Sequence, residues 1–251
     1  MERIAIISDV HGNIPALQAV FADIRSRSIT RIICLGDMIG KGPNPDLAVD
    51  MVRARCELVI MGNWEQGVLD RDNLPPGFKA VAEWTAQKVG SERELYIRSL
   101  PYSADLLLSG KLVRLFHSSA KGIYHRVQQH HALEERLAMF ENTPATGTPA
   151  SGRCPDIVGY GDIHQAYVQN FLGKTLFNCG SVGNPLEIPQ AAYAILEGAI
   201  DSEQSAPFSL QLVRLPYDRE LAIRQAAAED DMPEREAYTN ELRTAKYRGS
   251  K

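Results

Sequence analysis

Asp9-Val-His11, Gly36-Asp37, Gly62-Asn63, His117 and Gly161-Asp162-Ile-His164 are five short segments that share one property. Each sets a carboxylate, amide or imidazole at the end of an apolar, strand-like run. Donors of this kind suit first-row divalent metals. An Asp-x-His or a Gly-Asp taken singly is more often structural than metal-binding. The joint occurrence is harder to attribute to packing, because carboxylates and histidines are rarely buried without a partner. Acidic groups around a site would also repel a phosphorylated substrate unless bound cations reverse the local field. The chemistry these residues suggest is therefore metal-assisted.

Hydrophobic periodicity identifies the elements that must position them. Ile4 to Ile7 reads as a buried strand running into Ser8-Asp9, and Leu17, Val20, Phe21 and Ile24 recur at the spacing of one helix face. Arg31 to Leu35 is a second strand closing on Gly36-Asp37, with a Gly/Pro-rich loop through Gly40, Gly42, Pro43 and Pro45. Asp46 to Arg55 reads as an amphipathic helix, and Glu57 to Met61 as a third strand ending at Gly62-Asn63. In a parallel α/β sheet, three such strand-to-loop transitions bring their polar groups together beyond the strands' carboxyl ends. Pro75 to Leu100 reads as helical, and Ser109-Gly110 as the turn of a hairpin that delivers His117 after Leu112 to Phe116. Further strands are expected at 157–160, 166–171, 175–178, 192–197 and 208–215. We expect one domain over 1–251, with a helical insertion at about 75–100 and a helical tail from about 218. The strand-rich second half suggests a second sheet packed on the first.

In this order the motifs resemble those of the calcineurin-like metallophosphoesterases: Asp-x-His, Gly-Asp, Gly-Asn-x-Glu, a solitary His and Gly-x-x-His. The resemblance runs over roughly residues 3 to 185. Gly62-Asn63-Trp64-Glu65 and the stretch Asn178 to Pro185 are most similar to the small bacterial phosphodiesterase and diadenosine-tetraphosphatase-like branch. The fold implied is α/β, a four-layer sandwich of two mixed β-sheets flanked by helices, with the active site at the strands' C-terminal ends. The ligand pattern carried over gives Asp9, His11, Asp37 and His164 for a first metal. Asp37 would bridge to a second metal held by Asn63, His117 and Asp162. The resemblance thus implies two divalent transition metals roughly 3.5–4 Å apart, sharing a bridging water that becomes hydroxide near neutrality. Asn63 is also expected to contact a phosphate oxygen.

Two positions depart from the family pattern. Asp162 stands where the family usually has His, which hardens the second site and favours manganese or iron while still admitting zinc. Trp64 stands where a leaving-group acid is common, and indole donates a hydrogen bond but does not titrate in this range. Substrates with good leaving groups follow from that loss: phosphodiesters or phosphoanhydrides, dinucleoside polyphosphates among them. Trp64 is equally a wall residue or a flat face for a base, the latter worth roughly 1–3 kcal/mol. His125, close to His130 and His131 in a Gln-rich stretch read as helical, is a weak candidate for the missing acid. Gly12 and Asn13, at a helix start, offer backbone donors to substrate or form only a turn and cap. Lys41 and Arg126 could neutralise substrate phosphates, but isolated basic residues of this kind are more often surface charges.

Composition narrows the class. A net charge of −4 gives no basic footprint for nucleic acid, so a small phosphorylated substrate, such as a nucleotide, is the expected partner. The four cysteines lack CxxC spacing and read as small buried hydrophobes, and no apolar run approaches membrane-spanning length. A reducing cytoplasm is the default location. The alternatives within this reading are a phosphomonoesterase or protein phosphatase, and a non-catalytic scaffold of the same fold that binds proteins.

Overall fold

The computed structural model describes residues 1–248. The first half runs β1 (Glu2–Ile7), α1 (Ile14–Ser26), β2 (Arg31–Cys34), α2 (Pro45–Arg55), β3 (Leu58–Val59), α3 (Asn63–Leu69) and α4 (Pro76–Arg98). It continues through β4 (Ser103–Leu108), β5 (Lys111–Phe116), α5 (Leu133–Ala138), β6 (Ile157–Tyr160), β7 (Tyr167–Phe171) and β8 (Lys174–Asn178). The chain then forms β9 (Ala191–Gly198), β10 (Ser209–Leu215), α6 (Arg219–Ala227) and α7 (Arg235–Thr244).

Two mixed sheets result, in the orders β10-β9-β1-β2-β3 and β4-β5-β6-β8-β7. Strands β1, β2 and β3 are parallel, as are β5, β6 and β8, while β9, β10, β4 and β7 join antiparallel. Alternation along β1 shows how the layers are built, because successive side chains leave opposite faces of a strand. Ile4 and Ile6 pack between the sheets with Val113, Leu115, Ile157 and Phe177. Ala5 and Ile7 face outward onto Leu17, Val20 and Phe21 of α1 and Val49 of α2. The outer face of the second sheet is covered mainly by irregular chain, with Val127, Met139 and Phe140 over Val158, Tyr160 and Leu176.

Four local expectations are corrected. Strand β3 is confined to Leu58–Val59, because it pairs only with β2 and Met61 N–H already donates to the Pro101 carbonyl. A helix, α3, begins at once at Asn63 where only a loop was expected. The stretch carrying His125, His130 and His131 is not helical. Cys34 and Cys179 are buried, but Cys154 is exposed, and all four thiols are free. The expected helix at about 75–100 is present as α4, broken at Gly90, whose φ of 73° is a left-handed conformation open to glycine. Among the described residues, no helix is long and apolar enough to cross a membrane.

Candidate metal centre

The carboxyl ends of β1, β2, β3, β5 and β6 deliver Asp9 with His11, Asp37, Asn63, His117, and Asp162 with His164. Main-chain hydrogen bonds lock these loops together. Asp9 N–H donates to Gly36, His11 N–H to Asp37, Gly161 N–H to His117 and Gly183 N–H to Asp9, at 2.9–3.0 Å. Asp9, His11, Asp37, Asp162 and His164 all adopt positive φ, between 48° and 63°. A non-glycine residue in this region costs on the order of 1–3 kcal/mol and persists only where its surroundings enforce it, which is typical of functional sites. The glycines make the close approach feasible: a Cβ on Gly161 would collide with Ser8 Oγ and lie 2.7 Å from Asp9 Oδ2.

The three imidazoles are oriented in one way. Nδ1 of His11 donates to the Ile39 carbonyl (3.0 Å), Nδ1 of His117 to that of Leu35 (2.8 Å) and Nδ1 of His164 to that of Asn184 (2.6 Å). A carbonyl can only accept, so Nδ1 carries the proton and Nε2 is left with a lone pair. Those Nε2 atoms converge. His11 and His164 meet at 3.1 Å, His164 lies 3.2 Å from Asp9 Oδ1, and His117 lies 3.4 Å from Asp37 Oδ2. His11 Nε2 is 3.7 Å from that same Asp37 Oδ2, so this one oxygen lies between two imidazoles as a bridging carboxylate must.

This is an assembly of acceptors, nearly all fully buried, and acceptors repel unless a cation stands among them. Among the described residues, Asp9 Oδ1 and His117 Nε2 are buried with no hydrogen-bond partner. Two groups, Asp9 with His11 and His164, and Asp9 with Asp37 and His117, each gather ligand atoms within 4.8 Å. Protons alone would meet this demand awkwardly. Burial works to lower the His117 imidazole, yet Asp37 beside it, with Asp9 and Asp162, outweighs burial and pushes it up to about 10. Burial holds His11 well below its ordinary value and raises Asp37. The residues fit a divalent metal: carboxylates and neutral imidazoles whose second ring nitrogens are anchored, as in well-built metal sites.

Asn63 and Asp162 are brought to the cluster but engage each other, Asn63 Nδ2 donating to Asp162 Oδ1 at 2.7 Å. Arg126 also grips Asp162, through Nε on Oδ2 (2.9 Å) and Nη2 on Oδ1 (2.7 Å). Trp64 donates its backbone N–H to Asp37 Oδ1 at 2.8 Å. Its ring stands edge-on to His11 at 6.4 Å and tilts against Phe78, which is 57% exposed. Gly40 leaves room for that ring, since a Cβ there would collide with it.

Other expected residues serve elsewhere. Gly12 and Asn13 donate their N–H groups to Met38 and Val10, so neither offers a free backbone donor to an anion. The Asn13 side chain accepts from Ala16 N–H as the α1 cap and donates to the Gly183 carbonyl at 2.8 Å, tying α1 to the 178–185 loop. His125 is exposed and pairs with Ser119 Oγ at 3.0 Å, outside the cluster. Lys41 is not a surface charge: it is buried, donating to Asn184 Oδ1 (2.7 Å) and Glu241 Oε2 (3.0 Å). A cavity of about 310 Å³ lined by Arg71, Glu83, Ala86, Gln87 and Glu94 includes none of these groups.

Glu65 is the residue that sequence reasoning passed over. Its fully buried carboxylate accepts from the N–H groups of Asp37 (2.7 Å), Met38 (2.8 Å), Ile39 (3.3 Å) and Gly62 (3.0 Å). It binds the Asp37 loop to the first turn of α3. The available signal was a Glu at the third position of a helix, the acid half of a capping box.

Comparison with known proteins agrees with this geometry. Residues 2–200 match the calcineurin-like phosphoesterase superfamily domain. An uncharacterized protein of Methanocaldococcus jannaschii is 31% identical over 240 residues, covering 86% of this chain and 88% of the relative. The crystal structure of a metallophosphoesterase from Sphaerobacter thermophilus superposes with a TM-score of 0.72 at 23% identity, covering 97% of this chain and 99% of that one. A hypothetical protein from Pyrococcus horikoshii gives a TM-score of 0.77 at 17% identity, each chain fully covered. These two structures share the fold. The family match and the buried ligand groups together make this chain a member of the calcineurin-like phosphoesterase superfamily, a metal-dependent phosphoester hydrolase.

Proposed function

We propose that the chain hydrolyses phosphodiesters or phosphoanhydrides at a two-metal centre, acting best on substrates with good leaving groups such as dinucleoside polyphosphates and aryl phosphodiesters. Asp9, His11, Asp37 and His164 would hold one metal, and Asp37, Asn63, His117 and Asp162 the other. Bound divalent cations would activate a water and draw charge from the phosphoryl oxygens. The protein's own part is to fix those cations, through the Nδ1 anchors on Ile39, Leu35 and Asn184, and to position the phosphoryl group beside Asn63.

The observation that carries the substrate ranking is Trp64, whose ring stands beside His11 where the family commonly has an acid. Indole gives the departing oxygen no proton. A phosphate or aryloxide leaves without one, whereas an alkoxide of serine or threonine is a poor leaving group. The half-buried indole and the exposed Phe78 also supply apolar faces against which a base or aryl group can rest. The oxygen-rich second site supports manganese or iron as its metal. Buried free thiols support a reducing compartment such as the cytoplasm.

A substrate panel tests the ranking. With manganese, iron or zinc supplied, kcat/KM should fall in the order dinucleoside polyphosphate or bis(p-nitrophenyl) phosphate, then phosphoserine. Equal or faster turnover of phosphoserine would overturn the leaving-group reading.

A further inference from the structure

The two halves of the centre are not equivalent, and the difference lies at Asp162. A carboxylate that ligates a metal must turn a lone pair toward it. Asp162 Oδ1 already accepts from Arg126 Nη2 and Asn63 Nδ2, both at 2.7 Å, and Oδ2 accepts from Arg126 Nε at 2.9 Å. Forked guanidinium-carboxylate pairs of this kind are among the stronger and more directional contacts in proteins. The Asp162 side chain is 3% exposed, while that of Arg126 is 49% exposed, so the guanidinium reaches inward from the surface. It brings a fixed positive charge to the position where the second cation needs a ligand. On the other side of the centre, among the described residues, Asp9 Oδ1 has no hydrogen-bond partner, and Asp9, His11 and His164 turn their ligand atoms toward one another without a cationic side chain bonded to any of them.

Resting on the metal-centre reading above, we propose that Arg126 competes with the second metal for Asp162, so that the first metal is held tightly and the second is exchangeable. The guanidinium neutralises Asp162 when the second metal is away, and must yield the carboxylate when that metal binds. The nearby Lys41 does not play this part, because its ammonium is held by Asn184 and Glu241. Arg126 lies in an irregular segment after β5 with half its side chain in solvent, which allows it to swing outward without disturbing a strand or helix.

The experiment is a metal titration of the full chain and its Arg126→Gln variant. Both are stripped with chelator, titrated with Mn²⁺ alone by calorimetry, and desalted for elemental analysis, with circular dichroism confirming the fold. The native chain should retain one metal through desalting and bind the second at least about tenfold more weakly. R126Q should retain two, its second site tightened by roughly 10–100-fold, the worth of a charged hydrogen bond that the metal no longer has to displace, with the first site unchanged. Arg126→Lys, which keeps the charge but loses the fork, should fall between them. Two equally tight sites in the native chain, or an unchanged second site in R126Q, would overturn the competition while leaving the metal centre intact. No bound metal in either protein would remove the centre itself and the proposal with it.

Discussion

Glu65 shows how much of this centre depends on a side chain that faces no ligand atom. Its Oε1 holds the amides of Met38 and Ile39, and its Oε2 those of Asp37 and Gly62. Burial pushes its carboxyl up to about 7, with the Asp37 charge adding to the effect. Glu65→Ala would strand four buried donors, each costing about 1–3 kcal/mol, so guanidinium denaturation should show a loss of at least about 3 kcal/mol. Glu65→Gln should lose less, since its carbonyl can still serve one pair of amides while its amino group opposes the other. A loss below about 1 kcal/mol in the alanine variant would mean that the loop is held by other contacts. The ligand types were legible as residues, because Asp, His and Asn at strand ends have few other reasons to cluster. Their partners were not. Arg126 and Asp162 are 36 positions apart, and Lys41 and Glu241 are 200 apart, so no local pattern links them.

At the scale of elements, strands and their exits were readable because β1, β2, β5 and β6 are short apolar runs that stop at a polar residue. Helix α3 was missed because Gly62-Asn63 has the composition of a turn, and its helical start rests on Glu65 closing back onto Gly62 N–H. The irregular chain around His125 is fixed by contacts such as the Tyr160 hydroxyl donating to the Val127 carbonyl, which the sequence does not display. Helix α7 gained a role no composition suggested, since Glu241 anchors it to Lys41 beside the centre at 3.0 Å. Burial alone would raise the Glu241 carboxyl, but Lys41 and Arg248 outweigh it and hold the carboxyl below its ordinary value of 4.5. A depressed folded-state value adds stability above the unfolded value and loses it as pH falls through the folded one. Glu241→Gln should therefore cost about 3 kcal/mol near neutrality, and the gap should narrow in acid as pH falls below 4.5. A gap in urea-derived stability that stays constant down to about pH 3 would exclude this linkage.

For the molecule as a whole, the two-sheet architecture was legible from the motif order and the strand-rich second half, and it is the architecture found. The parallel ends of both sheets meet along one edge, so five loops from distant parts of the chain can build one buried cluster. Among the described residues, five of the left-handed non-glycine residues, three anchored imidazoles and two of the buried atoms without hydrogen-bond partners gather there. Strain and unmet polarity of this kind have a common explanation in a bound cation. The most direct measurement is hydrolysis of bis(p-nitrophenyl) phosphate by the native chain, with metal content followed before chelation, after it, and on return of Mn²⁺ or Fe²⁺. The expected result is that activity falls at least about 100-fold on stripping and returns in step with bound metal, as befits loss of the main transition-state charge stabiliser. Undiminished hydrolysis by a chain shown to hold no metal would contradict the metal centre.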